Sequence, residues 1–222
     1  MPATPPAERP LLFVTGATGN LGRYLLPALR ATGRYHLRLL YRPESGKDRV
    51  QGDDLEWVAG DLHDQYVLEE SLVGCTACVH AAALVAVQAG RRTARALQRT
   101  NVEGTENVVN ACLAAGVKRL VYLSSVAALD RDRTGEPVDE TSYRSDPKNA
   151  TTAYARSKVL AEREVWRGRA EGLSTAILYP SVILGEGDWD GGGPPGLWRR
   201  LDEVGRYYPA GGTGLVAAAD VA

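Results

Sequence analysis

Apolar positions along this 222-residue chain fall into short continuous runs that alternate with longer stretches at helical spacing. Leu11–Thr15 predicts a first strand, and Leu21–Ala31 a helix closed by Gly33. His36–Tyr41 and Leu55–Ala59 predict the second and third strands. A helix over Gln65–Leu72 leads to a fourth strand at Ala77–Ala81. Arg91–Ala115 reads as one long helix stopped by Gly116, and Arg119–Ser124 as the fifth strand. Thr152–Glu171 predicts a further helix stopped by Gly172, before a sixth strand at Ser174–Pro180. Alternation of this kind builds a parallel sheet covered by helices on both faces. Right-handed crossovers then favour the strand order 3-2-1-4-5-6, an α/β doubly wound Rossmann fold spanning residues 11–182.

The pattern changes after Pro180. Gly185 to Gly196 is rich in Gly, Pro and Asp and reads as a mobile loop. A helix is expected near Leu197–Val204, then a turn at Pro209–Gly214 and an apolar stretch, Leu215–Ala219. With no closing helix after it, that stretch is expected to lack cover. Residues 183–222 therefore read as an incomplete substrate-binding region. At the other end Met1–Pro10 is proline-rich, without the apolar core of a signal peptide, and reads as a disordered leader.

Composition excludes more than it selects. Apolar content of 44% and charged content of 24% are ordinary for a soluble globular protein. A net charge of −1 offers no basic excess to neutralise phosphates, so no nucleic-acid partner is expected. No apolar run reaches membrane-spanning length, and the expected compartment is the cytoplasm. Cys75 and Cys78 form a C-x-x-C, but no second Cys/His pair completes a zinc site. Small buried residues are the preferred reading, and no metal is expected.

Two constellations carry chemistry. Gly16-x-x-Gly19-x-x-Gly22 follows a predicted strand and opens a predicted helix, the context in which a glycine turn holds a pyrophosphate. Gly16 would permit the tight turn, Gly19 the approach of the ligand, and Gly22 the packing of helix on strand. Far downstream, Tyr154 and Lys158 stand one helical turn apart on one face, with Ser124-Ser125 upstream. A free phenol has a pKa of about 10, and a neighbouring ammonium favours its ionised form. Together these point to hydride transfer coupled to proton transfer. At the end of the second strand an acidic residue would hold the ribose hydroxyls of NAD, but Tyr41-Arg42-Pro43 stands there. A guanidinium suits a 2′-phosphate, so NADP(H) is preferred and NAD(H) remains possible. A solvated strand-end arginine is the alternative.

The strings Thr15–Gly22, Gly60-Asp61-Leu62, His80–Ala83, Asn101–Thr105, Ser124-Ser125, Tyr154–Lys158 and Tyr179–Gly185 resemble the extended short-chain dehydrogenase/reductase family. Within it the chain is most similar to NAD(P)-dependent epimerase/dehydratase members related to dihydroflavonol reductases and 3β-hydroxysteroid dehydrogenases. The resemblance implies cofactor binding by Gly16, Thr18, Gly19, Asn20, Leu21 and Gly22. Arg42, Pro180, Val182, Tyr154 and Lys158 join them. Asp61 and Leu62 would meet the adenine; a helix N-cap is the other role open to Asp61. Ala81, Ala82 and Ala83 would line the nicotinamide ribose, and Asn101 would brace the long helix near the active site. Ser125, Tyr154 and Lys158 would be catalytic: Ser125 on the reacting oxygen, Tyr154 as proton donor and acceptor, Lys158 on ribose and phenol.

The same resemblance narrows the substrate. Val126-Ala127-Ala128-Leu129 replaces the acidic pair of the dehydratases, and Pro180-Ser181-Val182 the asparagine of nucleotide-sugar epimerases. A small or apolar carbonyl or alcohol is expected. Trp189, Trp198, Tyr207 and Tyr208 would wall such a pocket or serve as ordinary packing. A nucleotide-sugar epimerase and a truncated, non-catalytic NADP-binding protein are the alternatives, since family members continue for on the order of 100 residues past this point. A homodimer through the two long helices is expected from Val102, Val108, Val109, Val159, Leu160 and Val165, unless these only face the sheet.

Overall fold

Strand alternation sorts the side chains of the first strand onto opposite faces, and two cores follow from it. Phe13 packs with Leu68, Val108, Cys112, Leu120 and Val165 on one face. Leu12 and Val14 pack with Leu25, Leu26, Leu37 and Leu39 on the other. Each such side chain removed from water contributes roughly 1.5–3 kcal/mol. The computed structural model describes residues 9–45, 52, 54–86, 90–130, 138–142, 146–186 and 214–222. Its main sheet holds β1 (Leu11–Thr15), β2 (His36–Tyr41), β3 (Leu55–Ala59), β4 (Cys75–His80), β5 (Arg119–Leu123) and β6 (Ser174–Leu178). Their order is β3-β2-β1-β4-β5-β6, every neighbour parallel, as the alternation predicts. The order reverses between β1 and β4, which opens a crevice beyond their C-terminal ends.

Helices α1 (Gly22–Ala31), α2 (Gln65–Leu72), α3 (Arg91–Leu97), α4 (Gly104–Ala114) and α5 (Ala153–Ala170) cover this sheet. The stretch expected as one regular helix, Arg91–Ala115, departs from that expectation: Gln98–Glu103 is π-helical. Thr105 Oγ1 donates to the Asn101 carbonyl at 2.6 Å, the acceptor that a regular helix gives to the amide of residue 105. Insertions of this kind collect at functional sites. Val108, Val109, Val159 and Val165 are fully buried within the single chain, so these positions serve the sheet face and not a dimer interface. Cys75, Cys78 and Cys112 are free and buried, and desolvation pushes the Cys75 thiol up to about 11. Among the described residues no helix is long and apolar enough to cross a membrane.

The last residues differ from the expected bare apolar run. β7 (Val182–Leu184) and β8 (Leu215–Ala217) form a separate parallel pair, with Val182 opposite Leu215. A single helical turn, Ala218–Val221, follows; Ala218 is buried and Ala222 packs against the Leu12–Leu25 core. Pairing supplies the backbone partners that the sequence alone left without any, though Leu215 stays 51% exposed. Trp189, Trp198, Tyr207, Tyr208, the helix expected near Leu197–Val204 and residues 1–8 of the leader lie outside the described residues.

A buried relay ties β1, β4 and α4 together at the crevice. His80 Nδ1 lies 2.7 Å from Thr15 Oγ1, and Nε2 lies 3.0 Å from Thr105 Oγ1. The Thr105 proton is committed to Asn101, so Nε2 carries the ring proton and Nδ1 accepts from Thr15. Thr15 in turn accepts the Ala82 amide at 3.2 Å. Burial pulls the His80 pKa down to about 3. Its folded value thus lies below the unfolded one of about 6.5, so its stability contribution is present above pH 6.5 and lost as pH falls toward 3. Urea unfolding between pH 5 and 7 is expected to show stability falling with acid in the parent and a shallower slope in His80→Asn. Equal slopes would mean that His80 is not what acid must charge.

Candidate active site

A cleft of about 870 Å³ runs along the C-terminal ends of the strands. Gly16, Thr18, Gly19, Asn20 and Leu21 form its first wall. Gly16 has φ +80°, and a Cβ there would stand 2.6 Å from the Ala82 nitrogen, so both conformation and space demand glycine. At Gly19 a Cβ would meet only the Gly16 carbonyl oxygen within 4 Å, in a tight contact of 3.2 Å. Gly22 does not line the cleft; a Cβ on it would meet the Ala17 carbonyl oxygen at 2.1 Å, so it packs α1 against the turn. Helix α1 starts without a side-chain cap, so no protein side chain competes for its first amides.

Arg42 and Ser45 line the cleft beyond β2. The Arg42 guanidinium is 61% exposed and only 3.9 Å from Glu44, a loose contact that leaves it available to a ligand. Asp61 and Leu62 line the cleft after β3. Asp61 Oδ1 accepts the His63 amide at 3.0 Å, while Asp64 caps α2 by accepting the Val67 amide. The helix cap that Asp61 was a candidate for therefore belongs to Asp64. Ala81, Ala82 and Ala83 line the next stretch. Asn101 does not reach the cleft: its side chain bonds the Leu84 amide at 2.8 Å, the Leu84 carbonyl at 2.9 Å and Ser157 Oγ at 2.9 Å. It ties a cleft-lining segment to α5 and does not itself line the cleft.

The far end of the cleft brings Ser125, Tyr154, Lys158, Pro180 and Val182 together. Thr152 caps α5 by accepting the Ala155 amide, which fixes where the helix begins and so where Tyr154 points. Lys158 is 2% exposed; its Nζ donates to the Leu123 carbonyl at 2.8 Å and to Tyr122 Oη at 3.4 Å. Burial pulls the Lys158 ammonium down to about 8, against the opposing charge of Glu162. The Tyr154 phenol is pushed up by burial, with only the Ser125 hydrogen bond acting the other way. That balance differs from the expected one, in which the Lys158 charge lowers the phenol; desolvation wins because the helix end packs Tyr154 against the β5 turn. Ser125 is thus the serine that meets Tyr154. Ser124 turns inward and donates to Glu162 Oε1.

Sequence reading missed Glu162, Tyr122 and the His80 relay. Glu162 was legible in principle, since Tyr154, Lys158 and Glu162 fall at successive helical turns along one stripe. The two outer glycines give a clean contrast. Gly22→Ala is expected to destabilise the fold by more than about 2 kcal/mol, because its contact is backbone. Gly19→Ala is expected to unfold nearly as the parent does yet lose most dinucleotide affinity. Thermal unfolding and a cofactor titration of both variants check this; equal affinity in Gly19→Ala and parent would remove the ligand from that turn.

Known proteins resemble this chain in sequence and fold. The chain is 36% identical over 176 residues to 4-hydroxy-2-methyl-3-oxo-4-farnesyl-3,4-dihydroquinoline-1-oxide ketoreductase of Stigmatella aurantiaca, covering 79% of this chain and 51% of that protein. It is 32% identical over 190 residues to a vaccinia virus 3β-hydroxysteroid dehydrogenase/Δ5→4-isomerase, covering 79% and 53%. The crystal structure of gox2253 superposes with a TM-score of 0.83 at 34% identity, over 95% of this chain and 63% of that one. The chain spans about half the length of the curated relatives it matches. Residues 12–204 match the profile of the NAD dependent epimerase/dehydratase family, a span that includes all of the main sheet but Leu11, and the chain belongs to that family.

Proposed function

We propose that this chain carries the cofactor site and the proton-transfer groups of an NADP(H)-dependent oxidoreductase acting on a small or apolar carbonyl or alcohol. One observation carries the reading: Ser125, Tyr154 and Lys158 share a single cleft with the glycine turn after β1. The fit to a dinucleotide rests on Gly19, which lines the cleft with bare backbone beside an α1 N-terminus without a side-chain cap. A bound nicotinamide supplies or accepts the hydride. Ser125 then holds the reacting oxygen, and the Tyr154 hydroxyl gives its proton to that oxygen as charge develops on it. Because burial raises the phenol, Tyr154 is protonated at neutral pH, the form that carbonyl reduction needs. Lys158, anchored on Leu123, would hold the ribose of a bound cofactor, and its charge would favour the phenolate.

Apolar walls support the substrate class. Val85, Val126, Ala127 and Ile183 line the cleft around Ser125, where an acidic pair would be needed for dehydration. Relatives named for a farnesylated quinoline ketone and for a steroid fit the same preference. In this reading residues 11–182 are the cofactor-binding domain and residues 183–222 begin a substrate-binding region. Three free, buried cysteines fit a reducing compartment, which supports the cytoplasm. A homodimer through the outer faces of α4 and α5 stays part of the proposal, without the buried valines.

Cofactor choice and chemistry are tested separately. Fluorescence titration is expected to show NADPH bound at least about tenfold more tightly than NADH, a difference of about 1.4 kcal/mol, with Arg42→Asp erasing it. No preference in the parent, or none lost in the variant, would remove Arg42 from the 2′-phosphate. Tyr154→Phe is expected to lower kcat for ketone reduction by about 100-fold or more while NADPH affinity stays near that of the parent. A variant that kept most of its kcat would show that another group donates the proton.

A further inference from the structure

Helix α5 presents Tyr154, Lys158 and Glu162 one turn apart, and the three meet successive residues at the end of β5. Tyr154 pairs with Ser125, Lys158 Nζ donates to the Leu123 carbonyl at 2.8 Å, and Ser124 Oγ donates to Glu162 Oε1. Glu162 is 1% exposed, on the interior side of the stripe. Its second oxygen accepts from Tyr179 Oη at 3.3 Å, just after β6. A serine hydroxyl on one oxygen and a tyrosine hydroxyl on the other suit a carboxylate: burial pushes the Glu162 carboxyl up, and these two bonds and the Lys158 charge pull it back. A carboxylate this deep needs a compensating charge. Lys158 is that charge, also 2% exposed and one turn away.

We propose that Glu162 is a positioning residue of the active site: it fixes Ser124, and so the turn that carries Ser125, and it supplies the counter-charge that keeps Lys158 an ammonium. This rests on the reading of Ser125, Tyr154 and Lys158 given above. Without a counter-charge, Lys158 would discharge to an amine at working pH, as buried lysines do. Tyr122 faces the pair from β5, His80 from β4, Tyr154 from the same helix and Tyr179 from the end of β6. His80 is neutral there and burial keeps the Tyr122 and Tyr154 phenols protonated, so Glu162 is the carboxyl of this group that can carry the charge opposite Lys158. A structural role alone, a polar plug behind the turn, would be met equally by glutamine.

The chain has four lysines, so the Lys158 ammonium is open to observation by NMR with 13C-labelled lysine and no cofactor present. In the parent its titration midpoint is expected near 8. Glu162→Gln preserves size and one acceptor oxygen but removes the charge, and is expected to lower that midpoint by about one unit, a tenfold change in the ionisation constant. An unchanged midpoint in Glu162→Gln would overturn the proposal. Should that variant not fold, 13C-glutamate spectra of the parent decide: a Glu162 carboxyl shift that inflects with Lys158 supports the pair, and its absence overturns it. Since no cofactor takes part, this result is independent of whether Tyr154→Phe loses reduction.

Discussion

Gly16 leaves β1 at φ +80° with its Cα pressed against the Ala81–Ala82 peptide at the end of β4. A methyl group at that point would overlap the Ala81–Ala82 peptide, so the two strands meet closely only because no side chain stands between them. The cleft depends on that contact. It sits where the strand order reverses, so the crossovers leave β1 and β4 in opposite directions and vacate the space above them. The His80 relay secures the same junction from within, joining Thr15, the Ala82 amide and Thr105 in one directed chain of hydrogen bonds. With every donor and acceptor in it satisfied, it holds the Ala81–Ala83 wall without exposing polar atoms to the apolar core.

The other end of the cleft is held by charge where the first is held by close contact. Lys158 and Glu162 are both nearly inaccessible, and each alone would cost several kcal/mol to bury. They are tolerated because β5 ends in groups that match them: a carbonyl at Leu123 for the ammonium, a hydroxyl at Ser124 for the carboxylate. The same desolvation lowers Lys158 and raises Tyr154, which moves the two acidities apart and keeps the phenol protonated.

Much of the fold was legible in the sequence because parallel strands buried on both faces read as plain apolar runs, and glycines mark their ends. Leu11–Thr15, His36–Tyr41 and Leu55–Ala59 coincide with the strands observed. The glycine turn was equally legible, since its spacing follows from backbone geometry. What escaped was long-range pairing. The π-helical segment at Gln98–Glu103 depends on Thr105 and on Leu84, which no local pattern connects. Asp61 and Asp64 both precede α2, and only the turn at His63 decides which of them caps it. Residues 215–217 read as an uncovered run because their partner, Val182–Leu184, lies far away along the chain. Glu162 escaped because a charged residue inside a helix reads as solvent-facing until the strand behind it is known.

One claim unites these observations: that the cleft between the Gly16 turn and Tyr154 receives a dinucleotide. Amide hydrogen exchange of the chain with and without NADPH tests it most directly. The expected result is slowed exchange at Gly16–Leu21, at Ala81–Leu84 and near Ser125, with the outer faces of α3 and α5 unchanged. Protection confined to surfaces away from the cleft, or none at cofactor concentrations that saturate binding, would contradict it.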